Sequence, residues 1–152
     1  MSDPIAFTSA SPRHGLPLLF AGQAQKEFFV NEAHALIDTL LHPAIEGELA
    51  APPTSPEAGQ CWLVAPAASG DWTGKEDCLA SFQAGTWVFA APRDGMRLFD
   101  RATRQDMRYH GGWQRAIAPV TPSGGTTTDD EARTAIGQLI AALVAGGLLP
   151  AA

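Results

Sequence analysis

Six short apolar or alternating runs in the middle of the chain constrain its fold most. Each run is bounded by Gly, Pro or Asp, and together they cover residues 60–65, 78–83, 86–91, 96–100, 106–110 and 113–117. Runs this short, separated by turn residues, are typical of antiparallel hairpins. The tightest turns fall at residues 83–85 and 110–112, where glycine supplies the positive φ that a short hairpin needs. The sequence therefore predicts a small antiparallel sheet.

A tryptophan closely follows a turn glycine three times, in Gly70-Asp71-Trp72, Gly85-Thr86-Trp87 and Gly112-Trp113. We interpret this as one recurring turn, in which an aromatic ring caps the hairpin that ends there. The spacing of the three tryptophans is unequal, which excludes a solenoid repeat. The preceding segment, residues 46–59, is rich in proline and small residues and is predicted to be a loop.

A helix is predicted upstream of the sheet, over residues 22–42. Apolar residues from Phe29 to Leu41 recur at steps of three and four, and Pro43 ends the pattern. A set of polar side chains interrupts the helix start: Gln23, Gln25, Lys26, Glu27, Asn31 and Glu32. Such side chains beside an apolar stripe must face water or partners that satisfy their hydrogen bonds. We therefore expect this polar set to form an interface with protein surface near a symmetry axis.

A second helix is predicted after a linker rich in Pro, Gly and Thr. Thr128 and Glu131 match a capping box, with Thr128 as the N-cap. Ala132, Ile136, Leu139 and Leu143 then form an apolar stripe. A short helix behind a flexible linker is marginal alone, so we expect it to pack against the sheet or, preferably, against identical helices.

The chain is thus predicted to be an α+β protein, a helix packed on a small antiparallel sheet. Its four parts are an irregular arm (residues 1–15), the helix with its antiparallel β domain (16–118), a linker (119–128) and a C-terminal helix (129–149).

Net charge and hydropathy limit the classes of partner that this chain could bind. A net charge of -6 argues against a nucleic-acid partner, and no apolar run is long enough for a membrane span. Without an apolar signal segment, we expect a cytoplasmic protein. Only 17% of residues are charged, which fits a subunit that hides surface against copies of itself.

No complete catalytic or metal-binding constellation is recognisable. His34, Asp38 and His42 share a helix face, but two turns separate the histidines, so no closed metal site is predicted. Lys26 and Glu27 could act as a base and its partner, yet no nucleophile or oxyanion-hole pattern accompanies them. We expect no catalytic residue, no metal and no cofactor. Cys61 and Cys78 are predicted to be free, buried thiols.

The basic residues of the hairpin region allow two interpretations. The six arginines are Arg93, Arg97, Arg101, Arg104, Arg108 and Arg115. They could protect edge strands and pair locally with Asp94, Asp100 and Asp106, the interpretation we favour. Alternatively, a platform could bind an acidic polysaccharide through guanidinium groups and stacked rings. Its residues would be Trp72, Trp87, Trp113, Tyr109, Arg97 and Arg108.

Several motifs resemble a domain-of-unknown-function family found in phage tail genes, prophages and gene transfer agents of alphaproteobacteria. The QAQKE…NEA signature corresponds to Gln23, Ala24, Gln25, Lys26, Glu27, Asn31, Glu32 and Ala33, a PP…G…W entry to Pro52, Pro53, Gly59 and Trp62, and a tryptophan turn to Trp72 and Gly74. The similarity extends from about Gly15 to Arg115. The segment LFDRATRQDMRYHGGWQ also resembles a hairpin of phage tail-fibre modules.

The resemblance implies a non-catalytic virion structural or tail-fibre attachment module. It would form a homo-oligomer, by preference the trimer usual for phage fibres, and contact other virion proteins. It would be cytoplasmic during assembly and later part of a virion or phage-like particle. The alternative is a carbohydrate-binding module that recognises host surface polysaccharide.

Overall fold

The computed structural model describes residue 24 and residues 26–120, 123–126 and 129–150. Helix α1 is Lys26–Leu40 and helix α2 is Asp130–Ala145. Eight strands lie between them: β1 (Ala44–Ile45), β2 (Glu48–Leu49), β3 (Cys61–Val64), β4 (Leu79–Gln83), β5 (Thr86–Ala90), β6 (Arg97–Asp100), β7 (Gln105–Tyr109) and β8 (Trp113–Arg115). The predicted α+β class and all six predicted strands are confirmed. The arm at residues 1–15 lies outside the described residues.

The strands form two sheets in place of the one small sheet that the sequence predicts. The first sheet has the order β2-β3-β4-β5 and the second has the order β1-β6-β7-β8. Strands β1 and β2 run parallel to β6 and β3, and every other pairing is antiparallel. Strand β2 lies in the segment expected to be a loop. A two-residue strand is too short to show a period in sequence, and only its pairing partner defines it.

The two sheets repeat one backbone unit. In the second sheet, the Phe99 N–H donates to Pro43 O at 2.9 Å and the Arg101 N–H donates to Ile45 O at 3.0 Å. In the first sheet, the Leu63 N–H donates to the carbonyl of residue 47 at 3.0 Å and the Ala65 N–H donates to that of residue 49 at 2.8 Å. These two acceptors each lie four residues after the corresponding acceptor in the second sheet. A single extended segment therefore serves both sheets in turn.

The hairpins extend this repeat. In β4–β5 Phe82 lies opposite Trp87, and in β7–β8 Tyr109 lies opposite Trp113. The ring centroids are 5.0 Å apart in the first pair and 5.3 Å apart in the second. The recurring Gly-Trp turn predicted from sequence is thus real at two of its three positions.

The third position differs, because Gly70–Trp72 forms a short 3-10 helix and caps no hairpin. The Ser69 N–H donates to Ala50 O at 2.8 Å and fixes the start of this turn. Trp72 is 0% exposed and packs edge-on against Trp87, with ring centroids 5.0 Å apart. The loop after β3 therefore folds back and seals one face of the first sheet.

The main hydrophobic core lies between the two sheets. Its buried members are Leu36, Ile45, Cys61, Leu63, Leu79, Ala90, Met96, Leu98 and Met107. A second cluster on the opposite face of the first sheet contains Trp62, Val64, Trp72 and Ala80. Strand β3 contributes alternate residues to each cluster, as its pleat requires. The first sheet is therefore buried on both faces.

Helix α1 is held against the first sheet by Gln83, near the tip of the β4–β5 hairpin. The Gln83 amide nitrogen, Nε2, lies 3.2 Å from Ala35 O and 3.1 Å from Thr39 Oγ1. It also lies 3.2 Å from Ser81 Oγ. One side chain thus joins the helix backbone to the sheet, and Leu36 of the same helix enters the core.

Replacement of Gln83 by alanine is expected to lower the free energy of unfolding by about 1–2 kcal/mol, because it removes the amide donor that links partly buried oxygens on α1 to the sheet. Urea unfolding measures the change, and hydrogen exchange should speed up in α1 before it does in β6 and β7. Gln114→Ala, an exposed glutamine on β8, serves as the control. Equal losses in the two variants would contradict this role of Gln83.

Helix α2 begins one residue later than predicted. Asp129 is the N-cap, and its Oδ1 accepts the Ala132 N–H at 2.8 Å. Thr128, the N-cap predicted from sequence, lies outside the described residues, as do residues 121, 122 and 127 of the linker. At the other end, Gly147 adopts a left-handed φ of 71°. The Leu148 N–H bonds back to Leu143 O at 2.9 Å, as predicted for a glycine-terminated helix.

The sheet domain meets α2 at the end of this helix. The Asp106 N–H donates to Gly147 O at 2.6 Å, and Leu149 is buried. No residue within α2 itself is buried, and Leu139 is 60% exposed. Neither of the two described helices is long and apolar enough to cross a membrane.

Candidate functional site

The polar set predicted at the start of α1 is only partly within the described residues. Residues 23 and 25 and the side chain of Glu27 lie outside them. Lys26, Asn31 and Glu32 are exposed. Asn31 and Glu32 line a groove of about 820 Å³ between α1 and the β4–β5 hairpin. Lys26 is not among the residues that line it, so the structure brings two of the described members together.

The same groove has an apolar side that the sequence analysis did not single out. Phe28 lines it and is 64% exposed. Phe29, Ile37 and Leu41 are also exposed at α1. The helical period assigns these three side chains to the buried stripe, but of its apolar members only Leu36 is buried, with Leu40 packed beside it. The outer face of α1 is therefore more apolar than its sequence pattern predicts.

The six side chains of the predicted sugar platform do not share one surface. Trp72 is fully buried, and Trp87 packs against Trp62 and Trp72. Tyr109 and Trp113 pack toward the core between the sheets, and the Trp113 ring N–H donates to Asp77 O at 2.8 Å. These four aromatic rings therefore serve packing between or over the sheets, which leaves only the two arginines exposed.

Arg97 and Arg108 do lie together, on the outer face of the second sheet. They are directly opposite each other in the β6–β7 pairing, and both are exposed. Neither forms an ion pair with another residue that the structure describes. Like charges placed directly opposite destabilise a strand pair unless a neighbouring charge compensates. Asp106 lies on the same face, and the two arginines outnumber it, so this face carries a net positive charge that can attract an anionic group.

Two hollows flank this arginine pair. One, of about 320 Å³, is lined by Arg97, Arg108 and Leu148 among others. The other, of about 670 Å³, lies between the end of α2 and the β6–β7 turn and includes Phe99, Arg101 and Arg104. Phe99, on the same face as Arg97, was not among the candidate residues from sequence. Its exposure follows from the alternation along β6, where Leu98 points inward.

The sheets are also joined by an ionic network around the buried side chain of Asp100. The favoured pairing of hairpin arginines with aspartates, Asp100 among them, is confirmed for Arg115, whereas the additional link to Glu48 was not predicted. The Arg115 Nη2 lies 2.8 Å from Asp100 Oδ2, and Nη1 lies 2.9 Å from Glu48 Oε2. Asp100 is only 1% exposed, and its Oδ1 accepts the Ala102 N–H at 2.9 Å. Glu48 belongs to the first sheet, whereas Asp100 and Arg115 belong to the second. The arginine therefore bridges the sheets.

The charge of Asp100 is maintained by these partners. Burial by itself raises the pKa of the carboxyl group, but hydrogen bonds from Arg115, Thr103 and the Ala102 amide outweigh it, and the net pKa is lowered. Burial alone would lower the pKa of Arg115, but Asp100 and Glu48 outweigh it and raise that pKa. The network places one guanidinium between two carboxylates, each within ion-pair distance, which suits a structural role.

Nucleophilic and metal chemistry has little support among the described residues. Cys61 and Cys78 are free thiols, as predicted, although Cys78 is only half-buried. Burial, with a smaller contribution from Glu46, raises the pKa of Cys61 to about 12, so its thiol is protonated and unreactive. No group of three or more His, Cys, Asp or Glu side chains converges among the described residues.

Comparison with known proteins gives one family. No curated protein and no solved structure matches the chain significantly. The model of one family, described as "Protein of unknown function (DUF2793)", matches residues 30–114. The match begins within α1 and ends within β8, so it takes in seven complete strands and part of the eighth, and it covers more than half of the chain. The chain belongs to this family of proteins of unknown function.

Proposed function

We propose that this protein is a non-catalytic structural module of a phage-derived particle, where it assembles with copies of itself and helps to attach a tail fibre. The resemblance of its sequence motifs to those of phage, prophage and gene-transfer-agent tail proteins supports this assignment. The module would fold in the cytoplasm and then be incorporated into the virion together with other virion proteins.

The observation that carries the proposal is the apolar stripe of α2. Ile136 is 42% exposed and Leu139 is 60% exposed, and the helix is attached to the sheet domain at its C-terminal end. A 16-residue helix with an uncovered stripe is marginal in water, so it gains most of its stability from packing. A matching helix from another copy supplies a suitable apolar surface.

The remaining features fit a structural rather than a catalytic module. The charges of buried Asp100 and of partly exposed Arg115 and Glu48 are used to join the two sheets. The aromatic rings that could bind sugar are used in packing. A binding or catalytic role is therefore not needed to explain why these polar and aromatic residues are present.

Leu139→Asp is expected to dissociate the oligomer, because a carboxylate in the stripe cannot be desolvated without a partner. Multi-angle light scattering on the full chain measures the number of copies. The expectation of three copies stays a prediction that this measurement tests. The matched control is Ala141→Asp, which adds the same charge to the other side of α2, and circular dichroism checks that both variants keep their helix.

The full chain should be oligomeric, Leu139→Asp monomeric and Ala141→Asp unchanged. A wild-type chain that stays monomeric at high protein concentration would refute self-assembly. If Leu139→Asp leaves the oligomer intact, the copies associate through a surface other than the α2 stripe.

A further inference from the structure

The first half of α2 extends away from the residues that hold its last turn. Residues 144–147 line the hollow beside Phe99 and Arg104, whereas the described hydrogen bonds of the first turns stay within the helix and its cap or reach Gly124. A helix of 16 residues is about 24 Å long. The N-terminal end of α2 is therefore about this distance from the place where its C-terminal end meets the sheet.

The two ends of α2 have opposite electrostatic surroundings. The first end carries what we term the acidic turn, Asp129, Asp130 and Glu131, all exposed. Around the other end lies what we term the arginine rim, Arg97, Arg104 and Arg108, also exposed. The half-buried Asp106 lines the same two hollows, and the arginines outnumber it. Within the described part of the chain, neither group forms an ion pair. The length of α2 prevents the acidic turn from reaching the rim of its own chain.

The apolar stripe of α2 is symmetric about its own midpoint. Its members, Ala132, Ile136, Leu139 and Leu143, are spaced by four, three and four residues. When two such helices pack antiparallel, Ala132 of one lies opposite Leu143 of the other, and Ile136 lies opposite Leu139. The same surface is thus complementary to itself, which is the requirement for a two-fold interface.

We propose that a second copy of this chain docks on α2 through its own α2, in antiparallel orientation. This alignment places the acidic turn of each copy beside the last turn of the other helix, next to the arginine rim. Opposite charges then meet at both ends of the helix pair. A parallel arrangement would instead bring the acidic turns of all copies together, where like charges repel.

The antiparallel pair contains two copies, in place of the three expected from sequence. It rests on the proposed function in one respect, that α2 is the surface through which copies assemble. It adds the orientation of the helices and the residues that determine it.

Reversing the charge of the rim tests the electrostatic contact. The double substitution Arg97→Glu and Arg104→Glu is expected to weaken the dimer by about tenfold or more, because the meeting of acidic turn and rim becomes repulsive at both ends of the helix pair. Asp130→Lys with Glu131→Lys should have a similar effect and keeps the N-cap Asp129. The chain carrying all four substitutions should recover most of the affinity. Sedimentation of the full chain over a range of concentrations gives these dissociation constants, and rising salt should weaken the wild-type dimer.

Cross-linking tests the orientation directly. Ala132→Cys and Leu143→Cys are made separately in full chains that also carry Cys78→Ser. In the antiparallel pair, position 132 of one copy would lie about 16 Å along the axis from position 132 of the other, since 11 residues separate positions 132 and 143. A bis-maleimide shorter than this should join the two variants when they are mixed and should leave Ala132→Cys alone uncross-linked.

The outcomes separate this inference from the proposed function. Recovery by the four-fold substitution together with the mixed cross-link supports the antiparallel pair. Cross-linking of Ala132→Cys with itself, or an oligomer that the charge reversals leave unchanged, overturns it but leaves assembly through α2 intact. A monomeric wild-type chain overturns both.

Discussion

Trp72→Ala is expected to lower the free energy of unfolding by about 3–5 kcal/mol, the range for removing a large aromatic side chain from a core. Trp72 has no exposed surface and packs edge-on against Trp87. Its ring joins the loop after β3 to the outer face of the first sheet, so its removal opens a cavity and releases the loop. Urea unfolding, followed by circular dichroism, measures the loss.

Trp72→Phe is the matched variant for this prediction. It keeps an aromatic ring and removes the indole N–H, which is buried without a hydrogen-bond partner among the described residues. The smaller ring loses packing contacts, but the variant no longer buries an N–H without an acceptor. The second change offsets part of the stability lost through the first. The phenylalanine variant should therefore lie closer to wild type than to Trp72→Ala. A loss in Trp72→Ala no larger than that of an exposed-surface substitution would show that the loop does not need this ring.

Asp100→Asn is expected to lower the free energy of unfolding by about 2–3 kcal/mol at neutral pH. The substitution removes the charge that Arg115 approaches at 2.8 Å and leaves a partly buried guanidinium with Glu48 as its remaining ionic partner among the described residues. Asp94→Asn is the control, because Asp94 also accepts a backbone N–H, from Gly111, but is well exposed. The control should lose much less stability, because solvent screens the contacts of the exposed Asp94 side chain.

The pH dependence of this variant has a definite sign. The pKa of Asp100 is lower in the folded protein than the usual value of about 4. Its stabilising contribution is therefore complete above that usual value and is lost as pH falls through the folded pKa. The difference between wild type and Asp100→Asn should be largest near pH 7 and shrink below about pH 4. A difference that stays constant down to about pH 2 would show that the charge is not responsible.

Local signals in the sequence predicted the positions of the elements well. The turn glycines mark the β4–β5 and β7–β8 hairpins because only a residue that tolerates positive φ permits so short a turn. The apolar spacing and acidic first turn predict α2, since both act within one helix. The observed N-cap, Asp129, lies one residue after the predicted one, Thr128. Both residue types can accept a backbone N–H at a helix start, so the sequence alone does not choose between them.

The candidate site was predicted less completely, for a related reason. The sequence placed Arg97 and Arg108 in a common group, and the register of β6 with β7 brings them together. It also added four aromatic residues, whose types suit either a sugar surface or a core: Trp72, Trp87, Trp113 and Tyr109. Whether a ring lies on a binding surface or in a core depends on which part of the chain packs over it. Tyr109 and Trp113 pack toward the core between the sheets, and Trp72 and Trp87 pack in the cluster formed with the loop after β3.

The sequence by itself determined where the helices, hairpins and tight turns form, because periodicity and backbone preference act over a few residues. Only the tertiary structure decided that eight strands divide into two sheets, that Ile45 pairs with Asp100, and that Arg115 bridges to Glu48. These partners lie far apart along the chain, 67 residues in the case of Arg115 and Glu48. Their free energy of interaction arises only when the chain brings them together, so no local pattern records it.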